Sequence, residues 1–138
     1  MTRSPLRAAL CLTALCFAVA CLAIPAAAQA QIARGKYLVE QVALCGDCHT
    51  PRDATGQPIA AEALQGAPIG VRPVQPMPFS DIAPKLAGLP ANYTPAQFAR
   101  FLQTGQKPDG SPPLPPMPPY RLSKQDAWAV TDYLKSLK

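Results

Sequence analysis

The stretch Ala43–Arg52 reads ALCGDCHTPR, and it limits the fold more than any other part of the chain. It holds the only two cysteines beyond residue 21 and the only histidine, compressed into Cys45-Gly46-Asp47-Cys48-His49. On a helical turn Cys45 and Cys48 stand at i and i+3, and His49 at i+4 of Cys45, so all three side chains share one face. The pattern is the C-x-x-C-H signature of covalent haem attachment. Two thiols add to the two vinyl groups of a porphyrin, and the adjacent imidazole reaches its iron.

Other uses of the same residues require parts that are missing from the pattern. A structural zinc site needs four ligands, and the chain offers two thiolates and one imidazole there. A thioredoxin-like redox pair needs a βαβ setting, and no strand pattern of any length is visible. A simple surface disulfide remains the third alternative to haem c.

The first thirty residues read as a leader. Arg3 and Arg7 precede an apolar run from Ala8 to Ile24, and Ala28-Gln29-Ala30 closes it as an A-x-A site. The expected division is a signal peptide over 1–30 and one domain over 31–138, exported to the periplasm. Two alternatives are an uncleaved anchor, although the run is short for a span of about 20 residues and ends in Pro25, and lipidation of Cys21. Removing the leader takes away Cys11, Cys16 and Cys21 and lowers Lys+Arg from 13 to 11 against 8 acids, a net charge of +3. No basic block with interleaved aromatics is present, which argues against a nucleic-acid partner.

Regular structure is expected in three places. Ile32–Leu44 reads as a helix with Ile32, Tyr37, Leu38, Val42 and Leu44 as its apolar stripe. Gly35 inside it costs about 1 kcal/mol against Ala, a cost a helix carries where another group must approach closely. Tyr93–Gly105 carries Thr94 as N-cap, Pro95 at N1, a T-x-x-Q capping box through Gln97 and Gly105 at C′. Phe98, Phe101 and Leu102 share its apolar face. A last helix starts after Ser123, with Asp126 in an S-x-x-D box and Ala127, Val130, Leu134 and Leu137 as its buried stripe. Between these lie two irregular stretches, 50–88 and 107–122, the second with Pro112, Pro113, Pro115, Pro116, Pro118 and Pro119. Loops this long in so small a domain are expected to pack on a ligand, with one short helical turn near Ala60–Leu64.

His49 is the expected proximal ligand. Its second ring nitrogen is expected to donate to a backbone carbonyl, with Pro51 either helping to present it or acting as a plain turn residue. For the far side of the iron the sequence leaves Met117, Met77, a lysine or an open position. The stiff segment LPPMPPY favours Met117 over Met77 in VQPMPFS. Tyr93, Tyr120, Trp128 and Arg52 are candidates to bond the haem propionates. Lys85, Lys107, Lys124 and Arg121 are candidates to border the haem edge, although each also reads as an ordinary solvated side chain.

The stretches RGKYLVEQVALCGDCHTPRD, LPANYTPAQFARFLQTGQKPDGSP and PPMPPYRLSKQDAWAVTDYLKSL together resemble class I monohaem c-type cytochromes. They are most similar to those associated with bacterial membrane dehydrogenases for alcohols and sugar acids. The resemblance implies an all-α, cytochrome c-like fold with short helices and long Pro-rich loops around one covalent haem c. It implies Cys45, Cys48 and His49 as the clasp, Met117 as distal ligand, and a small residue, Gly35, where an aromatic of the last helix, Tyr133, comes close. The implied role is electron transfer without catalysis of its own. The partners would be a dehydrogenase, an oxidase or another cytochrome, met by a monomer in transient complexes and without a transmembrane helix in the mature chain. Two other readings stay open: a haem protein with an open distal site for catalysis or gas binding, and a membrane-tethered accessory subunit.

Overall fold

The computed structural model describes residues 25–137. The expected leader falls mainly on residues 1–24, outside the described part, as do Cys11, Cys16 and Cys21. Among the described residues four helices carry the fold: α1 (Ala26–Tyr37), α2 (Gly46–His49), α3 (Pro95–Thr104) and α4 (Lys124–Ser136). A π-helical turn, Leu38–Val42, extends α1, and a 3-10 turn lies at Ala60–Glu62. β1 (Ala67–Pro68) and β2 (Ile82–Ala83) form a small antiparallel ladder with Ala67 opposite Ala83 and Pro68 opposite Ile82. No alternation is legible in strands of two residues, which is why the sequence pattern showed no strand.

The frame is α4 packed on α1 and α3. At the α1–α4 crossing Gly35 is buried, and a Cβ built on it would lie 2.0 Å from the Ala129 carbonyl oxygen and 2.7 Å from Tyr133 Cβ. The small residue is therefore required. It faces first the backbone of Ala129 and next the expected Tyr133. The Tyr133 hydroxyl donates to Glu40 Oε1 at 2.6 Å, and Arg34 Nε donates to Asp126 Oδ1 at 2.9 Å. Asp126 thus serves the helix crossing, while its backbone N–H is the group capped by Ser123 Oγ at 3.1 Å.

The apolar stripe of α1 differs from its expected form. Tyr37, Val42 and Leu44 are about half exposed, and Val39 is fully buried beside Leu38. Tyr37 lies off the helix face formed by Ile32, Gly35 and Val39, and for Val42 and Leu44 the π turn is the cause. Ala43 N–H reaches back five residues to the Leu38 carbonyl, and Cys45 N–H reaches six residues to Val39. The extra residue in the turn shifts the helical register that periodicity assumes. α4 buries Ala129, Thr131 and Tyr133 besides Ala127, Val130 and Leu134, because it is covered from two sides. α3 follows its sequence signals closely. Thr94 and Gln97 complete the capping box, Gly105 takes φ 64°, and Phe98, Ala99, Phe101 and Leu102 are buried.

Candidate haem-binding site

α2 is the turn that carries the motif. Leu44, with φ 50°, reverses the chain out of the π turn and starts the segment that presents Cys45. A leucine in the left-handed region is strained, and such strain gathers at functional sites. His49 N–H then bonds the Cys45 carbonyl at 3.0 Å, closing the helical turn that the i, i+4 spacing anticipated.

The His49 ring is buried, and its Nδ1 lies 2.7 Å from the Pro84 carbonyl oxygen. Donation from Nδ1–H leaves the lone pair on Nε2, the form an imidazole needs to bind a metal. Burial pulls the His49 pKa below its usual value, which also favours the neutral ring. The acceptor is thus Pro84, 35 residues further on. Pro51 does not present it; the Pro51 carbonyl instead accepts from Ile59 N–H at 2.9 Å.

Three more bonds fix this arrangement. Gly66 N–H donates to the His49 carbonyl at 2.8 Å, and Leu64 N–H donates to Thr50 Oγ1 at 3.0 Å. The Leu64 carbonyl accepts from Leu86 N–H at 2.8 Å, just past Pro84. The 50–88 loop therefore holds the residue after the histidine and the acceptor of the histidine in one small network. Thr50 was not singled out from sequence, since its role depends on a partner fourteen residues away.

Cys45, Cys48 and His49 line a cavity of about 540 Å³ together with Leu44, Ile82, Phe98, Phe101, Leu102, Val130, Leu134 and Met117. The size and the apolar walls suit a cofactor-sized ligand. No disulfide joins Cys45 and Cys48. Burial, chiefly, pushes the Cys45 thiol up to about 11, which keeps it neutral inside an apolar wall. Among the described residues no three His, Cys, Asp or Glu side chains converge to hold a bare metal ion, which argues against the zinc alternative. The donor set fits a covalently held porphyrin: two thiols, one correctly tautomerised imidazole and a large apolar space.

A model of the cytochrome c family matches residues 32–138. The chain belongs to the cytochrome c family. Membership implies covalently bound haem c and electron transfer, and the helical frame with its small ladder is the corresponding fold. The chain is 34% identical over 77 residues to the fructose dehydrogenase cytochrome subunit of Gluconobacter japonicus, covering 53% of this chain and 14% of that protein. It is 34% identical over 83 residues to a dihaem c-type cytochrome of Cereibacter sphaeroides, covering 55% of this chain and 23% of that one. The cytochrome thus spans less than a quarter of either relative's length. Its likeness to cytochromes tied to dehydrogenases agrees with the resemblance stated from the sequence.

The two methionines part company in the structure. Met117 lines the cavity and packs against the core, whereas Met77 is about half exposed and lies outside it. Of the propionate candidates, Tyr93 lines the cavity, edge-on to Phe98 with ring centroids 5.6 Å apart. Tyr120 also lines it, but its hydroxyl donates to the Ala43 carbonyl at 3.0 Å. Arg52 spends its guanidinium on the Gly56 and Asp47 carbonyls, and Trp128 packs on the core away from the cavity. Among the four basic candidates for the haem edge only Lys107 lines the cavity, 3.7 Å from Asp109.

Proposed function

We propose that this cytochrome is a periplasmic carrier of single electrons. It would hold one haem c through Cys45 and Cys48, with His49 and Met117 as axial ligands. Residues 1–30 would be its export leader, and cleavage after Ala30 would make Gln31, within α1, the first residue of the mature domain. It would pass electrons from a dehydrogenase or another cytochrome to an oxidase or similar acceptor, as a monomer in transient complexes. One observation carries the reading: a single apolar cavity lined by both thiols, the buried His49 and Met117, with Met77 outside.

When bound, the haem would supply reversible one-electron chemistry, and ligation by His49 and Met117 would raise its potential. The chain's own residues do the rest. Pro84 holds the proton on His49 Nδ1 and so keeps Nε2 available. Phe98, Phe101, Leu102, Val130 and Leu134 exclude water from the cavity. The proline-rich segment around Met117 limits how far that side chain moves. With His49 and Met117 both holding the group, no place on it would be left for a substrate. No helix of the described residues is long and apolar enough to cross a membrane.

The deciding experiment is expression in a host that matures c-type cytochromes. The secreted protein is expected to stain for haem on a denaturing gel at the mature mass, with Gln31 at its N-terminus. Carbon monoxide should leave the reduced visible spectrum unchanged. A colourless protein removes the whole reading, and a carbon monoxide complex replaces it with an open distal site. Met117→Ala should change the spectrum and Met77→Ala should not.

A further inference from the structure

The segment around Met117 has no regular structure, yet it must hold one side chain in the cavity. Among the described residues, three hydrogen bonds tie residues 114–122 to the rest of the chain. Ser80 N–H donates to the Pro115 carbonyl at 2.8 Å, and Leu122 N–H donates to the Leu102 carbonyl at 3.0 Å. Both are backbone bonds made at the two ends of the segment. The third is made by a side chain. The Tyr120 hydroxyl donates to the Ala43 carbonyl at 3.0 Å, across 77 residues of sequence.

The position of this bond is its significance. Tyr120 is three residues after Met117, and Ala43 is two residues before Cys45. Both line the cavity. The Ala43 carbonyl comes at the end of the π turn, where the helical ladder has already broken and Leu44 is reversing the chain. Its orphaned oxygen is met by the phenol. The bond thus joins the methionine segment to the very strand of chain that delivers the first thiol.

We propose that Tyr120 is a positioning residue for the distal ligand. Its bond to the Ala43 carbonyl straps the Met117 segment to the haem clip and holds the thioether against displacement. The inference rests on Met117 being the distal ligand and names the group that keeps it there. Other side chains on the cavity wall do not share this role, since Tyr93 and the phenylalanines make only ring contacts there.

The test measures imidazole binding to the ferric holoprotein, because imidazole must displace the distal ligand to bind. Tyr120→Phe keeps the ring, and so the wall, and removes only the donor. Losing one such bond is expected to raise imidazole affinity about 3- to 10-fold, with haem staining unchanged. Tyr133→Phe is the control, since it removes a phenol bond at the α1–α4 crossing instead of at the cavity. It should lower the unfolding midpoint and leave imidazole affinity as in the wild type. Equal imidazole affinity in Tyr120→Phe and wild type overturns the strap, provided that Met117→Ala has changed the spectrum. If Met117→Ala keeps the wild-type spectrum, the ligand assignment and the strap fall together.

Discussion

The α1–α4 crossing and the loops around the cavity are held by different physics. At the crossing, Gly35 lets two helix backbones approach until a single added carbon would overlap the Ala129 carbonyl. At the centre of the crossing the contact is close packing that tolerates no change of shape, with the Tyr133–Glu40 and Arg34–Asp126 bonds at its margin. Residues 50–92 and 106–122 instead use placed hydrogen bonds: Thr50 to Leu64, Gly66 to His49, Ser80 to Pro115, Tyr120 to Ala43. Each is worth little alone, and the cavity they surround is the space a cofactor would fill. The lesson is a division of labour. The frame holds the chain in one shape, and the loops place the side chains that line the cavity.

Gly35→Ala gives the largest expected effect and attacks the frame. The new methyl meets backbone, which has no flexible end to move aside, so destabilisation of about 3 kcal/mol or more is expected. It should be seen as loss of holoprotein yield and a lower denaturant midpoint. Wild-type stability in this variant would break the comparison at its first term.

Thr50→Val tests the loops. It keeps the side-chain shape but leaves the Leu64 N–H buried without its acceptor, at a cost of about 1–3 kcal/mol. Hydrogen exchange should quicken across residues 50–88 and stay slow in α3 and α4. Uniform quickening would show that frame and loops unfold as one unit, and the division would fail.

The smallest effect concerns the surface of the crossing. The bond from Arg34 holds the Asp126 carboxyl below the usual carboxylate range. A carboxylate depressed in the folded state contributes stability that is present above its unfolded value of about 3.9. That contribution is lost as pH falls through the lower, folded value. For a pair this exposed it amounts to under about 1 kcal/mol. Denaturant unfolding of wild type and Asp126→Asn should therefore differ slightly at pH 7 and converge in strong acid. A difference that stays constant into strong acid would assign the effect of Asp126 to something other than its charge.

Much of this was legible from local chemistry. The capping box at Thr94 and Gln97, the stop at Gly105, the Ser123 cap and the spacing of Cys45, Cys48 and His49 are all decided within one turn of chain. Hydrogen bonds over such short distances depend on residue type and little else, so they read correctly. Gly35 was legible for another reason: a glycine inside a helix carries a cost that only a close approach repays. Beyond Tyr37 the α1 stripe misled because periodicity assumes an α register, and the π turn at Leu38–Val42 does not keep one. Nothing local announces that turn.

Local sequence alone put two thiols and an imidazole, Cys45, Cys48 and His49, on one helical turn and set helices around two stiff loops. Tertiary structure alone decided that Pro84 orients the histidine, that Thr50 and Tyr120 tie the loops, and that Met117 faces the cavity while Met77 faces solvent. The reason is distance along the chain. A motif is set by neighbours a few bonds apart, whereas an acceptor 35 or 77 residues away is found only when packing brings it there.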